Sequence, residues 1–336
     1  MRRSGPNGFL PTWPTKCARR SDPTRQFRGS VRHCLPLPFP ATGGITVAEG
    51  FPELFDVRAF GRTIDTGFNQ IVADYGQMLE AIFLPVLKLL LAMEKLLQWL
   101  PWWAVLLALT ALAYAASRRW TVALTVAAMT FCIGLIGVWE AAMATIALMV
   151  VATLLAVVIG LPIGVAMSRS KRMQSITLPV LDVMQTMPIF VYLIPFVMLF
   201  GPGKIPALLA TIVFAIPPVI RLTNLGIRGV DAEIVEATRA FGASSGQILF
   251  TVQIPLALPT ILAGINQTTM MALSMVVIAS MIGAGGLGYQ VLQGIQRLQI
   301  SSGLMAGLGI VLLAIIFDRI AQSYGKRMQS SLKLEH

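Results

Sequence analysis

Charged residues, histidines and paired cysteines are scarce in this chain of 336 residues. Lys, Arg, Asp and Glu make up only 12% of it, against about a quarter in a typical soluble domain. The only histidines are His33 and His336, and Cys17, Cys34 and Cys132 have no ligand-like spacing. The sequence therefore lacks the residues that a histidine-based metal site or a nucleophilic triad would need. We predict that the chain is not an enzyme and binds no metal or cofactor itself.

Apolar residues are abundant and clustered. They account for 56% of the chain, and the mean hydropathy is +0.75. A bilayer core of roughly 30 Å needs about 20 consecutive apolar residues per helix. Seven windows are predicted as spans: 102–117, 121–138, 141–167, 176–200, 205–220, 259–282 and 304–321. The predicted fold class is an all-α integral membrane protein, a polytopic helical bundle, with its transmembrane domain at residues 101–324.

The remaining segments are predicted from charge and composition. Residues 1–32 carry eight basic residues against one acid, in a stretch rich in Pro, Gly and Ser, so 1–50 is expected to be a disordered basic tail. Residues 51–100 are expected to hold amphipathic, interfacial helices, because 78–99 contains charged residues that are costly in hydrocarbon. A short or tilted first span is the alternative for 78–99. Residues 325–336 are expected to be a cytoplasmic tail ending in a cloning scar at 333–336.

The short loops predict the orientation, because cytoplasmic loops carry the excess of Lys and Arg. The basic pairs at 118–119, 171–172 and 326–327 and the loop 221–258 all fall on one side of the predicted spans. That side is predicted to be cytoplasmic. The localisation predicted is a multi-pass protein of a bacterial plasma (inner) membrane, with the loop 221–258 and the C-terminus inside the cell.

The loop 221–258 contains signals for two short helices in succession. Asp231 can cap the first helix, and Gly242 stands where a left-handed residue would end it. Ser244 and Gln247 have the spacing of a capping box for a second helix, which Pro255 is expected to end near residue 254. Acidic and basic residues balance in this loop, so binding of nucleic acid is not expected. Its many apolar side chains predict that a protein partner docks there.

The spacing of this loop resembles a known family. Glu236-Ala237-Thr238, then Gly242, then Val252 and Ile254-Pro255 resemble the signature loop of ABC importer permeases, the inner-membrane components of binding-protein-dependent transport. The resemblance implies a bundle of the type I ABC importer permease class. It also implies that the loop inserts a coupling helix into an ATPase subunit. The coupling residues it implies are Glu236, Ala237, Arg239, Ala240, Phe241, Gly242 and Ala243.

Further segments resemble permeases for glycine betaine, proline betaine or choline. These are residues 181–195, Asn266-Gln267-Thr268 and the stretch 272–288. The partners implied are a second copy of this chain, two ATPase subunits, an extracytoplasmic substrate-binding protein and the lipid bilayer. ATP and Mg²⁺ are expected on the ATPase subunits, because this sequence contains no Gly-x-x-x-x-Gly-Lys-Ser/Thr. A permease for another small nutrient is the alternative within this class, and a secondary transporter is the alternative outside it.

Two stripes of residues at helical spacing are candidates for the substrate pathway. Polar side chains in membrane helices are costly and face a cavity or a neighbouring helix. The first stripe runs along the span 176–200 and the second along 259–282. Their pathway candidates are Asp182, Gln185, Thr186, Ile189, Tyr192 and Phe196 on the first, and Asn266, Thr269 and Ser280 on the second. The glycine-rich run 283–288 lacks the Lys of a phosphate loop and is expected to be a flexible external loop.

Overall fold

The protein folds as a bundle of helices. The computed structural model describes the backbone of residues 57–333, and between these residues there is no β-strand. The expectations for residues 1–50 and for the last three residues lie outside the described part. The helices are α1 Val57–Trp99, α2 Trp102–Ser117, α3 Trp120–Leu135, α4 Trp139–Arg169, α5 Lys171–Thr186, α6 Ile189–Phe200, α7 Lys204–Arg228, α8 Ala232–Ala240, α9 Ser245–Gln247, α10 Ile254–Ala279, α11 Leu287–Gln296 and α12 Ile300–Lys333.

Helix α7 forms the centre of the bundle, packed between α4 and α10. In the most apolar stretch of 18 residues, 67% of α7 is buried, against 44% of α4. Glycines bring these helices together: a Cβ on Gly164 of α4 would lie 2.7 Å from Cβ of Thr223, and one on Gly264 of α10 would lie 3.0 Å from Cβ of Leu222. Small residues at helix contacts are typical of membrane bundles, where close backbone approach supplies van der Waals contact.

The structure contains fewer full-length spans than the seven predicted. Among the described residues, four helices are long and apolar enough to cross a bilayer, or six if two bent pairs each count as one span. Helices α2 and α3 have 16 residues each, so each is about 24 Å long. The predicted bounds 102–117 are those of α2, which ends where Arg118 adopts a left-handed conformation, whereas α3 ends at Leu135, before the predicted residue 138 and just before the left-handed Gly137.

The predicted span 176–200 is interrupted. Helices α5 and α6 meet at an angle of 95°, and the break falls at Met187 and Pro188. A proline disfavours helical geometry at the residue before it, and Met187 is extended, with φ −68° and ψ 135°. A single straight helix over 176–200 was therefore a wrong prediction.

Helix α1 packs against the bundle through its second half. The pair Ala59–Gly76 and Met78–Trp99 is bent by 66°. Leu90 is 2% exposed and lies in the same apolar core as residues of α4 and α7. The ring of Phe83 contacts that of Phe200 edge-on at 5.7 Å, and Lys204 Nζ lies 2.5 Å from Glu94 Oε2. The segment predicted to be interfacial thus has one face buried against α6 and α7.

The loop predicted for residues 221–258 is shorter in the structure, because both flanking helices extend into it. Helix α7 continues past residue 220 to Arg228, and α9 continues through a π-helical turn, Ile248–Gln253, into α10. The expected end near residue 254 is wrong: Pro255 lies in the first turn of α10, where a missing N–H costs little. The segment that begins at Ser245 stays helical as far as a kink at Ile282 and Gly283.

The glycine-rich run at 283–288 is a packed turn between α10 and α11, which corrects the prediction of a flexible loop. Gly283, Gly285 and Gly286 all have positive φ, a conformation that only glycine adopts without strain. The amide of Leu287 donates to Oγ1 of Thr145 on α4 at 2.9 Å, and Leu287 is fully buried. This turn fastens α10 and α11 to the start of α4.

Candidate functional site

Helix α8 is a short capped helix at the end of the bundle where α4 and α7 terminate. The carboxylate of Asp231 accepts a hydrogen bond from the amide of Glu233 at 3.0 Å, which caps the helix as predicted. Gly242 has φ +82°, so the predicted left-handed glycine is also confirmed. Its amide donates to the carbonyl of Arg239 at 3.0 Å. The chain therefore reverses at Gly242 with its backbone hydrogen bonds satisfied.

The next helix begins with the predicted capping box. The amide of Ser244 donates to Oε1 of Gln247 at 2.8 Å, and the amide of Gln247 donates to Oγ of Ser244 at 3.4 Å. About one turn later Ile248 and Leu249 are buried, and Leu249 packs in a small core with Ile227 of α7. The capping box and this core fix where α8 stands relative to α7 and α10.

Helix α8 itself has no buried residue. Phe241 at its end is 93% exposed and Phe250 is 70% exposed, whereas Ile248 and Leu249 are covered by the chain. The apolar surface of the loop thus divides into a part that anchors it and a part that is open. An open phenylalanine at the end of a projecting helix is suited to burial in another protein. The candidate coupling residues from Glu236 to Ala243 all lie on α8 or on the turn that follows it.

The first pathway stripe is divided between two helices. Asp182, Gln185 and Thr186 lie on α5 and are exposed, whereas the other three members lie on α6 beyond the 95° bend. The shared face that a straight helix would have given them is absent, because Pro188 breaks the helix between the two groups. The members on α6 are Ile189, Tyr192 and Phe196.

Tyr192 connects the two halves of the broken pair. Its hydroxyl donates a hydrogen bond to the carbonyl of Met184 on α5, and its ring contacts that of Phe214 on α7 at 5.6 Å. The residue is 5% exposed. In this conformation Tyr192 therefore holds the bend, and Phe190 is the more accessible ring, at 62% exposed.

The second stripe lies mostly against other parts of the chain. Asn266 and Thr269 are half-buried on α10, and Oγ1 of Thr269 donates to the carbonyl of Ile265. Ser280 is 1% exposed and donates to the carbonyl of Val277, at the start of a second π-helical turn. Oδ1 of Asn266 is buried and has no hydrogen-bond partner. Of this stripe, Asn266 is the member with unsatisfied polar capacity.

An ion pair links α5 to α7 and joins the pathway candidate Asp182 to Arg221, a residue that the sequence did not single out. Nη2 of Arg221 lies 2.5 Å from Oδ1 of Asp182, and both side chains are partly exposed. Further along α7, Arg228 donates to Oδ1 of Asn224 and to the carbonyl of Met167, both at 3.1 Å. The sequence placed Arg221 in the predicted loop 221–258. Helix α7 continues on both sides of this residue, so Arg221 lies within the helix.

Within residues 57–333, no three side chains of His, Cys, Asp or Glu come together in a group that could hold a metal ion. Among the described residues, the two polar features that stand out are the exposed, capped helix α8 and the Asp182–Arg221 ion pair. The arrangement has an exposed, capped helix at one end of the bundle and a charge pair between two helices of the bundle.

Comparison with known proteins agrees with this architecture. The chain is 47% identical over 267 residues to the glycine betaine/proline betaine transport system permease protein ProW of Escherichia coli (strain K12), covering 80% of this chain and 75% of that protein. It is 50% identical over 192 residues to the glycine betaine/carnitine transport permease protein GbuB of Listeria monocytogenes, covering 57% of this chain and 68% of that protein.

A similar fold occurs in the MetNI methionine ABC transporter, crystallised in inward-facing conformations. The match to one of its chains has a TM-score of 0.51 at 22% identity and covers 55% of this chain and 93% of that chain. A family model described as binding-protein-dependent transport system inner membrane component matches residues 152–330. Since that match spans α4 to α12 and includes α8, the chain belongs to the family of inner membrane components of binding-protein-dependent transport systems.

Proposed function

We propose that this chain is the permease subunit of an ATP-driven importer and that α8 is its coupling helix. The observation that carries the proposal is the exposure of α8 and Phe241, held in a fixed place by the cap at Asp231, the reversal at Gly242 and the buried Leu249. A helix that must transmit movement has to be rigidly joined to the spans, and α9 runs without a break into α10. An ATPase subunit that binds α8 can therefore displace α10 when it moves.

The chemistry of the ATP-driven step belongs to the partner in this proposal. The sequence holds no phosphate-binding lysine motif, so ATP and Mg²⁺ are bound by two ATPase subunits. The chain has one coupling helix, and the paired ATP sites of such engines then require two copies of it. An extracytoplasmic binding protein delivers the solute to the opposite end of the bundle, and this chain has no catalytic role of its own.

The proposed substrate is a quaternary ammonium compatible solute such as glycine betaine, proline betaine or choline. The two relatives are permeases for glycine betaine with proline betaine or carnitine, which supports this class, and the identity to them extends over 267 and 192 residues. The proposed pathway runs along the exposed residues of α5 and past Asn266 of α10, between the two copies. Exposed rings such as Phe190 offer weak cation–π contacts to a methylated ammonium, worth about 0.5–1 kcal/mol each.

The proposed orientation places α8 in the cytoplasm of a bacterial cell, with the solute entering from the far side of the plasma membrane. Arg169, Lys171 and Arg172 lie at the junction of α4 and α5, and Arg228 ties the end of α7 to the end of α4. These basic residues share the end of the bundle that carries α8, as the positive-inside rule requires of a cytoplasmic end.

Co-purification and transport of the reconstituted complex test the proposal. The chain is co-expressed with an ATPase subunit and a binding protein encoded beside it, and native mass measurement is expected to find two copies of this chain with two ATPase chains. Proteoliposomes should then take up labelled glycine betaine only with ATP and loaded binding protein. A transport-active complex with one copy of the chain would contradict the dimer, and uptake of a different nutrient class alone would contradict the substrate.

A further inference from the structure

The Asp182–Arg221 pair joins α5 to α7 and is open to its surroundings on one side. Arg221 is seven residues before the end of α7 at Arg228, so it lies roughly 10 Å along the helix from that end. Gly164 of α4 and Gly264 of α10 pack against α7 at neighbouring residues, so the pair is level with the central helix contacts. The side chains of Arg221 and Asp182 are nevertheless 37% and 61% exposed.

The open side of this pair faces something other than lipid. Charged side chains within membrane-spanning helices are costly to place against hydrocarbon, and they face water-filled cavities or protein. The described chain leaves a large part of both side chains uncovered. In a permease of two copies, the surface of α5 and α7 that carries it therefore faces the second copy and the pathway between them.

Arg221 has hydrogen-bonding capacity that its contact with Asp182 does not use. A guanidinium carries five N–H donors, and the one side-chain hydrogen bond that Arg221 makes within the described residues runs from Nη2 to Oδ1 of Asp182, which leaves further Nη donors for a solute. Its planar fork matches a carboxylate, which it can bind through two donors at once. Asp182, in turn, presents a carboxylate to the open side, and it is an exposed acid on α5 in the stripe already assigned to the pathway.

We infer that Asp182 and Arg221 form a zwitterion-matching site in the pathway, and that Arg221 selects solutes that carry a carboxylate beside their quaternary ammonium. A zwitterion aligns antiparallel to the ion pair, with its carboxylate at Arg221 and its methylated ammonium at Asp182. Both protein charges and both solute charges are then compensated. This inference rests on the proposed function and adds to it the residue that distinguishes glycine betaine from choline.

The same geometry disfavours a solute with a positive charge alone. Choline has the quaternary ammonium but a neutral hydroxyl in place of the carboxylate, so it leaves Arg221 without a new partner and brings a second cation close to it. Specificity of this kind combines attraction of one solute with repulsion of the other. Removing the charge of Arg221 should therefore lower uptake of glycine betaine but not that of choline, whereas removing the charge of Asp182 should lower uptake of both.

The test compares uptake of labelled glycine betaine and labelled choline into proteoliposomes that contain the complete importer, each variant normalised to wild type for each solute. Because the binding protein is the same throughout, its own preference cancels. Arg221→Gln is expected to lower glycine betaine uptake about tenfold, as for loss of a charged hydrogen bond, and to leave choline uptake unchanged or raised. Asp182→Asn is expected to lower both. Glu94→Gln, which removes an ion pair of the same length from the contact between α1 and α7, is the matched control and should change neither ratio.

A second measurement separates this role from a structural one. ATP hydrolysis stimulated by loaded binding protein is measured in the same proteoliposomes. For Arg221→Gln, glycine betaine uptake per ATP hydrolysed should fall about tenfold, because α8 and its attachment are intact. If the pair only ties α5 to α7, uptake and stimulated hydrolysis fall in proportion and both solutes are affected equally. Either result, or unchanged uptake of glycine betaine, overturns the inference.

The outcome for wild type separates this inference from the proposed function. If wild-type importer carries neither solute, the proposed substrate class is wrong and the zwitterion site falls with it. If it carries glycine betaine but not choline, the ratio of glycine betaine uptake to ATP hydrolysis in Arg221→Gln decides between the zwitterion site and a purely structural role of the pair. If it carries both and Arg221→Gln lowers both equally, the permease function stands and the zwitterion site is rejected.

Discussion

Gly242→Val is expected to uncouple ATP hydrolysis from transport while leaving the bundle intact. Gly242 has φ +82°, and a residue with a Cβ in this left-handed conformation costs roughly 1–2 kcal/mol. A Cβ added at Gly242 would meet no atom of this chain within 4 Å, so the penalty is entirely one of backbone conformation. At 1–2 kcal/mol the population of the native reversal falls by a factor of about 5–30 relative to competing conformations.

The loss is confined to the link between α8 and α9. Helix α8 has no buried residue, so little in the described chain holds it in place once the reversal is disfavoured. The buried Leu249 and the helical stretch that begins at Ser245 remain, so insertion and packing of the spans are unaffected. We therefore expect a complex with wild-type membrane abundance in which α8 no longer points in one direction relative to α10.

The assay measures three quantities in reconstituted importer: solute uptake, ATP hydrolysis and retention of the ATPase subunit in a pull-down. Gly246→Val is the matched control, since a Cβ at Gly246 also meets nothing within 4 Å but its φ is not positive. Gly242→Val should lower uptake per ATP hydrolysed, or release the ATPase, by a factor of about 5–30, and Gly246→Val should do neither. Wild-type coupling in Gly242→Val would show that the reversal at residue 242 does not transmit movement.

The remaining predictions concern packing, the bend between α5 and α6, and α8. Gly164→Ala should lower the stability of the purified chain by about 1–3 kcal/mol in thermal unfolding, because its Cβ would lie 2.7 Å from Cβ of Thr223, whereas Gly61→Ala, in open space, should not. Tyr192→Phe should lower the free energy of unfolding by about 0.5–1.5 kcal/mol, because it removes the hydroxyl that bonds to α5. Tyr192→Ala should also lower solute uptake at equal membrane abundance, and unchanged uptake would remove Tyr192 from the pathway. Glu236→Ala should lower solute uptake per ATP hydrolysed less than Gly242→Val does. Glu236 is exposed in mid-helix, and its i,i+3 and i,i+4 contacts are worth a few tenths of a kcal/mol. An equal loss in the two variants would mean that the ATPase subunit recognises the charge itself.

Local signals in the sequence were enough to predict the loop that carries α8. Asp231, Gly242, Ser244 and Gln247 act on neighbours within four residues, and caps, left-handed glycines and capping boxes depend on contacts at that range. The all-helical membrane class was also predictable, because apolar runs of this length have few other stable forms. Family resemblance then supplied the role of the loop, which its local geometry alone does not specify.

Contacts between distant residues decided the remainder. Nothing near Arg221 in sequence indicates that Asp182, 39 residues earlier, pairs with it, and nothing near Leu287 indicates that its amide bonds to Thr145. The bend at Pro188 was hidden because membrane helices often tolerate proline, so its presence does not decide between a continuous helix and a break. Pro255 gave the opposite error, since a π-helical turn before it let the helix continue.

The sequence by itself therefore determined which segments are helical and where the caps at Asp231, Gly242 and Ser244 begin and end the short helices. The tertiary structure decided which helix is central, which charges pair and which apolar residues remain open. The physical reason is the range of the interactions. Caps and apolar periodicity act within one or two turns, whereas burial of Leu249, exposure of Phe241 and the Asp182–Arg221 pair depend on how helices far apart in sequence pack together.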